Sequence, residues 1–149
     1  MKINIERARL ENLPEIAQLF NQYREFYQQP SDLALAFDFL NERLTNSESV
    51  VFYAKTEEGK YLGFTQLFPG FSSLSAKRIW VLNDLFVAAQ IRNSGVGKML
   101  LERAKDFALE TQSKGIALQT SVNNTGAQKL YESLGYEKDT GYYAYFLTL

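Results

Sequence analysis

Seven consecutive residues hold the densest chemistry of the chain: Arg92, Asn93, Ser94, Gly95, Val96, Gly97 and Lys98. They follow an apolar run, residues 79–87, broken by Asn83 and Asp84, and they open a stretch with Val96, Leu100, Ala104 and Phe107 at helical spacing. A helix that starts here leaves its first N–H groups unpaired and presents the positive end of its dipole. That arrangement receives a phosphate. Glycine lets the backbone approach closely, and Arg92 and Lys98 can add charge-assisted contacts. Two familiar phosphate loops do not fit. With Gly97-Lys98 as its Gly-Lys pair, the Walker loop needs Gly at Arg92 and Ser or Thr at Met99. The dinucleotide fingerprint needs a third glycine where Leu100 stands.

A second block runs from Asn124-Thr125-Gly126-Ala127 into Leu130-Tyr131-Glu132-Ser133-Leu134-Gly135-Tyr136. Asn124 and Tyr131 are seven residues apart and share one face of a helix. Asn124 suits a helix cap, and Tyr131 suits either a packed ring or a proton donor. An unperturbed tyrosine titrates near ~10 and is protonated at neutral pH. The chain contains neither His nor Cys, which excludes imidazole triads, thiolate nucleophiles and disulfides and disfavours a zinc site. Proton transfer falls to Asp, Glu, Tyr, Lys, a terminus or water.

The elements that must position these groups follow from periodicity. Residues 2–8 alternate as a strand, with Ile3 and Ile5 on one face. Asn12 opens a helix, with Pro14 in its first turn, Glu15 completing a capping box, and Ile16, Phe20, Tyr23 and Tyr27 along its apolar stripe. Pro30 stops it, and Ser31 starts a second helix with Asp32 in its first turn, ending near Leu44. Residues 50–55 and 61–68 form a hairpin about the turn 57–60, and residues 69–73 read as a loop. The near-continuous apolarity of 79–87 predicts a strand covered on both faces. A helix over 94–112 ends at Gly115, a strand covers 116–121, a short helix 124–134 closes at Gly135, and a strand covers 142–149.

One domain, residues 1–149, accounts for the length and for 46% hydrophobic against 22% charged residues. A net charge of −1 and no dense basic run speak against a nucleic-acid partner. The first residues lack the apolar core of a signal peptide, and no apolar run approaches a membrane span. A cytoplasmic location is expected.

The R-x-x-G-x-G spacing of Arg92, Gly95 and Gly97 after the D-L-F-V strand resembles the pyrophosphate loop of the GNAT superfamily of N-acetyltransferases. The second block is similar to that superfamily's N-x-x-A-x-x-x-Y-x-x-x-G-[FY] signature, through Asn124, Ala127, Tyr131, Gly135 and Tyr136. The motif-level resemblance covers residues 82–136, and the order of elements extends it along nearly the whole chain. It implies an α/β, layered α+β fold with a mixed central sheet of about six to seven strands and helices on both faces. It implies acetyl-CoA as cosubstrate and no metal. Main-chain groups of Leu85, Phe86 and Val87 would face the pantetheine arm and the oxyanion. Residues Arg92 to Lys98 would hold the pyrophosphate, with Asn124 and Tyr131 also against the cofactor.

The same resemblance makes Tyr131 the acid that protonates the leaving thiolate. Many members carry Glu where this chain has Asn83, which cannot be a base but can position a water. Asp84 is expected, by strand alternation, to point to the opposite face, as a structural or a catalytic carboxylate. The acceptor would be a small-molecule amine or a peptide amine. Tyr23, Phe26, Tyr27 and Trp80, with Glu25, Asp32 and Glu42, are either its surroundings or core rings and solvated acids. The aromatic stretch 142–147 suggests a homodimer, since the last strand often joins a dimer interface in this superfamily. Two rival readings are an inactive module that only holds CoA and a nucleotide binder that uses the glycine loop for ATP.

Overall fold

The computed structural model describes residues 2–149, which form two compact units, one ending at Leu118 and the other spanning Gln119–Leu149. The first unit contains β1 (Ile3–Arg7), α1 (Leu13–Phe26), α2 (Leu33–Thr45), β2 (Val50–Thr56), β3 (Tyr61–Ser72), β4 (Lys77–Val87), α3 (Val96–Glu110) and β5 (Ile116–Ala117). The sheet order is β1-β2-β3-β4-β5, antiparallel as far as β4 and parallel between β4 and β5.

Alternation sorts the core. Val51 and Tyr53 of β2, Phe64 of β3 and Phe86 of β4 pack with Leu13, Ile16, Ala17 and Phe20 of α1 and with Ala36 and Leu40 of α2. Phe52, one residue from each of its β2 neighbours, points the other way and meets Phe107 of α3 at 5.5 Å between ring centroids. Trp80 joins Phe107 at 5.0 Å. Helices therefore cover both faces, as near-continuous apolar strands require.

One irregularity of β4 governs the site. Leu67 pairs with Leu82, yet Gln66 pairs with Asp84, so Asn83 is an extra residue in the ladder. Trp80 and Phe86 are an even number of residues apart and should share a face. The bulge separates them instead: Trp80 packs toward α3, and Phe86 packs on Tyr23 of α1.

Four sequence expectations are corrected. The Asn12 side chain does not cap α1 with Glu15 in a capping box; it accepts from the Arg9 amide and donates to the Tyr61 hydroxyl, tying the start of α1 to β3. Asp32 is the cap of α2 rather than a first-turn residue, accepting from the Leu35 amide at 3.0 Å. Residues 69–72, expected in a loop, continue β3. There β3 has lost its β2 neighbour, whose register ends at Val50 opposite Leu67, so the missing N–H of Pro69 leaves no ladder bond unmade. Among the described residues the sheet has five strands, not six to seven. The difference lies beyond Ala117: the second unit contains α4 (Thr125–Ser133) and, taken by itself, no strand ladder. A single strand has no partner for its backbone groups within its own unit.

Candidate active site

The turn from β4 into α3 is built from backbone conformations that few residues adopt. Asn93 has φ 64° and Gly95 φ 88°, so the chain passes twice through the left-handed region before α3 begins at Val96. A Cβ on Gly95 would meet nothing within 4 Å, so conformation, not space, calls for glycine there. The Ser94 hydroxyl donates to the Ile91 carbonyl and pins the loop. The bond from the Met99 amide to the Gly95 carbonyl, at 3.1 Å, closes the first helical turn. The amides of Val96, Gly97 and Lys98 thus stand at the positive end of α3 with no carbonyl one turn back to receive them. They fit a diphosphate.

The two cations of this loop differ. Lys98 is more than half exposed, with Glu102 one turn on at 4.0 Å. Arg92 is engaged by the protein: its Nε–H donates to the Val87 carbonyl at 3.0 Å, and its guanidinium lies over the rings of Phe86 and Phe26. Leu85, Phe86 and Val87 are paired with Thr65, Phe64 and Gly63 of β3. Gly63 is obligatory, because a Cβ would lie 2.6 Å from the Phe86 carbonyl oxygen. Within the first unit β5 pairs β4 at Trp80 and Val81, and the ladder of the segment from Leu82 to Val87 there is with β3.

Asn83 and Asp84 do not point apart as alternation predicts. The bulge brings their side chains together, with Asn83 Nδ2 donating to Asp84 Oδ1 at 3.1 Å. Asp84 is 4% exposed, and its Oδ2 accepts from Gln66 Nε2 at 2.7 Å. The Thr65 hydroxyl donates to the Asp84 carbonyl at 2.8 Å. Gln66 was not marked by the sequence, because its pairing with Asp84 depends on a bulge that no spacing rule shows.

In the second unit Asn124 is the cap of α4, accepting from the Ala127 amide at 3.2 Å. Gly135, at φ 95°, turns the chain out of the helix, and the Tyr136 amide returns to the Tyr131 carbonyl. The rings of Tyr131 and Tyr136 lie 5.8 Å apart. Burial, with Tyr131 adding to it, pushes the Tyr136 hydroxyl up to about 12. Among the described residues no three His, Cys, Asp or Glu side chains come together as a metal-binding group.

A family model described as "Acetyltransferase (GNAT) family" matches residues 13–136. The chain is 51% identical to an uncharacterised N-acetyltransferase of Bacillus subtilis, covering 99% of this chain and 98% of that one. It is 33% identical to a protein of Haemophilus influenzae named a probable acetyltransferase, over 85% of this chain and 84% of the other. A crystal structure of a probable acetyltransferase superposes with a TM-score of 0.93 at 44% identity, covering 98% of this chain and 97% of that one.

Proposed function

We propose that this chain, which belongs to the GNAT family of acetyltransferases, moves the acetyl group of acetyl-CoA to a primary amine by direct attack of the nitrogen on the thioester. The observation that carries the reading is the turn at Asn93 and Gly95, which delivers the amides of Val96, Gly97 and Lys98 directly after β4. Those amides would hold the pyrophosphate, with Arg92 bracing the loop from behind. Residues 1–149 would act as one working domain, in the cytoplasm.

The amine gives up a proton and its lone pair forms the N–C bond. The carbonyl oxygen takes the negative charge, which main-chain N–H groups of Leu85 and Val87 would stabilise, while that of Phe86, expected beside them, faces the β3 ladder. The C=O bond then re-forms as the C–S bond breaks, the positive nitrogen releases its second proton to solvent to leave the neutral amide, and the thiolate takes the proton of the Tyr131 hydroxyl, which regains one from solvent. Asn124 holds the start of α4, the helix that carries Tyr131. The acceptor would be a small-molecule or peptide amine, and the aromatic stretch 142–147 would serve a homodimer, which light scattering on dilution would test.

Thiol release from acetyl-CoA with a panel of primary amines, run beside thermal shifts with acetyl-CoA and with ATP, tests the reading. Turnover with at least one amine and a rise in melting temperature with acetyl-CoA support it. A shift without turnover would leave a module that only holds CoA, and a shift with ATP alone would overturn both.

A further inference from the structure

Gln66 is completely buried in the middle of β3, and one end of its amide is committed. Nε2 donates to Asp84 Oδ2 at 2.7 Å. Turning the amide over would set Oε1 against a carboxylate oxygen, acceptor against acceptor, so the hydrogen bond fixes which end is which. Oε1 at the other end is buried and has no partner among the described residues. Buried amide oxygens in folded proteins are almost always paired, and an unpaired one costs stability. Packing alone would be served by an apolar side chain of similar length.

The partner of Gln66 is unusual too. Asp84 is buried beside two neutral amides, those of Gln66 and Asn83, and no cation of the chain forms an ion pair with it among the described residues. Asn83 itself is exposed, so the carboxylate sits one hydrogen bond beneath the surface of the strand assigned to the reacting thioester.

We propose that Gln66 is a positioning residue for proton removal from the acceptor amine: it holds Asp84 as the proton acceptor, and its free Oε1 receives an O–H of the water that relays the proton. The inference rests on the acetyl-transfer reading above. The step balances. The ammonium nitrogen gives one proton to the water as the water gives one to an Asp84 oxygen, leaving R–NH2 and a neutral carboxyl. The nitrogen lone pair is then free to attack, and Asp84 later returns its proton to solvent. The arrangement suits an alkylammonium acceptor, which arrives with a proton to lose. It gives no advantage with an arylamine, which is neutral before it binds.

The experiment compares wild type, Gln66→Glu, Gln66→Leu and Asp84→Asn for acetyl-CoA affinity by calorimetry and for kcat and kcat/KM against pH, with an alkylamine and an arylamine that wild type acetylates. Gln66→Glu sets a second carboxyl against the first, and such a pair keeps a proton to higher pH. The acid limb of its kcat/KM profile is expected to move up by about one unit or more. Gln66→Leu and Asp84→Asn are expected to lose roughly 10²-fold in kcat with the alkylamine, much less with the arylamine, at unchanged acetyl-CoA affinity. An acid limb that stays in place in Gln66→Glu, or equal losses with both amines, overturns the proposal. Should Gln66→Glu fail to fold, the comparison of the two amines in Gln66→Leu and Asp84→Asn decides alone. A wild type that binds acetyl-CoA and acetylates neither amine refutes the functional reading instead, and is told apart by that result.

Discussion

Arg92 donates its Nε–H to the carbonyl oxygen of Val87, five residues earlier, and lays its guanidinium over Phe86 and Phe26. The first residue of the glycine motif thus fastens the loop to the end of β4 and to the last turn of α1. Lys retains the charge but lacks the planar group that stacks and donates at once. Arg92→Lys is therefore expected to resemble Arg92→Ala, each losing about 1 kcal/mol of stability and several-fold in acetyl-CoA affinity. Urea melts and calorimetry check this. Full rescue by Lys would show that charge alone matters.

Gly95 gives a second expectation. Its φ of 88° is costly for any residue with a Cβ, although the space around it is open. Gly95→Ala should destabilise the chain by roughly 1–2 kcal/mol, or else shift the start of α3 and weaken acetyl-CoA binding. Wild-type melting temperature together with wild-type affinity would contradict the role given to this turn.

Tyr131→Phe isolates the hydroxyl. If Tyr131 is the general acid, kcat falls by about 10²–10⁴-fold and kcat/KM falls with it, while acetyl-CoA affinity changes little. A packed ring without that role would keep its turnover. Steady-state kinetics with the best amine of the panel decides the matter.

Tyr136 gives a pH expectation whose sign follows from its environment. Its folded value, pushed up to about 12, lies above the ~10 of an unfolded tyrosine, so the folded chain holds this proton more tightly. The stability linked to it is complete below about pH 10 and is lost as the pH rises toward about 12. Tyr53, pushed up by burial and by Tyr61 and Glu6, acts in the same direction. Urea midpoints at about pH 9 and about pH 11 should fall less in Tyr136→Phe than in wild type, because Phe has no proton to lose.

Much of this molecule can be read from its residues, and the remainder has identifiable causes. The cap at Asn124 and the exit at Gly135 follow from local backbone chemistry, and each is where the sequence places it; α3 starts at Val96, two residues past the expected Ser94, because Gly95 is still in the left-handed region. The run of β3 through Pro69 was missed because it depends on where β2 stops, a long-range fact. The meeting of Asn83, Asp84 and Gln66 was missed for a related reason: strand alternation assumes an even ladder, and β4 is uneven at that point. The engagement of Arg92 depends on Phe26, a residue of α1 far away in sequence.

The uneven ladder has a consequence for insertion and deletion. If the codon for Asn83 were removed, Asp84 would follow Leu82 directly, and the pairs Leu67 with Leu82 and Gln66 with Asp84 would become consecutive rungs. Every residue on either side would keep its present face, so the core would register no change. Removing Leu85 instead would reverse the facing of the residues on one side of the gap. Asn83 is thus dispensable to the arithmetic of the sheet, while the bend of β4 and the second amide on Asp84 depend on it. A shortened chain that folds normally and transfers poorly would separate, at one codon, the instructions for the scaffold from those for the reaction.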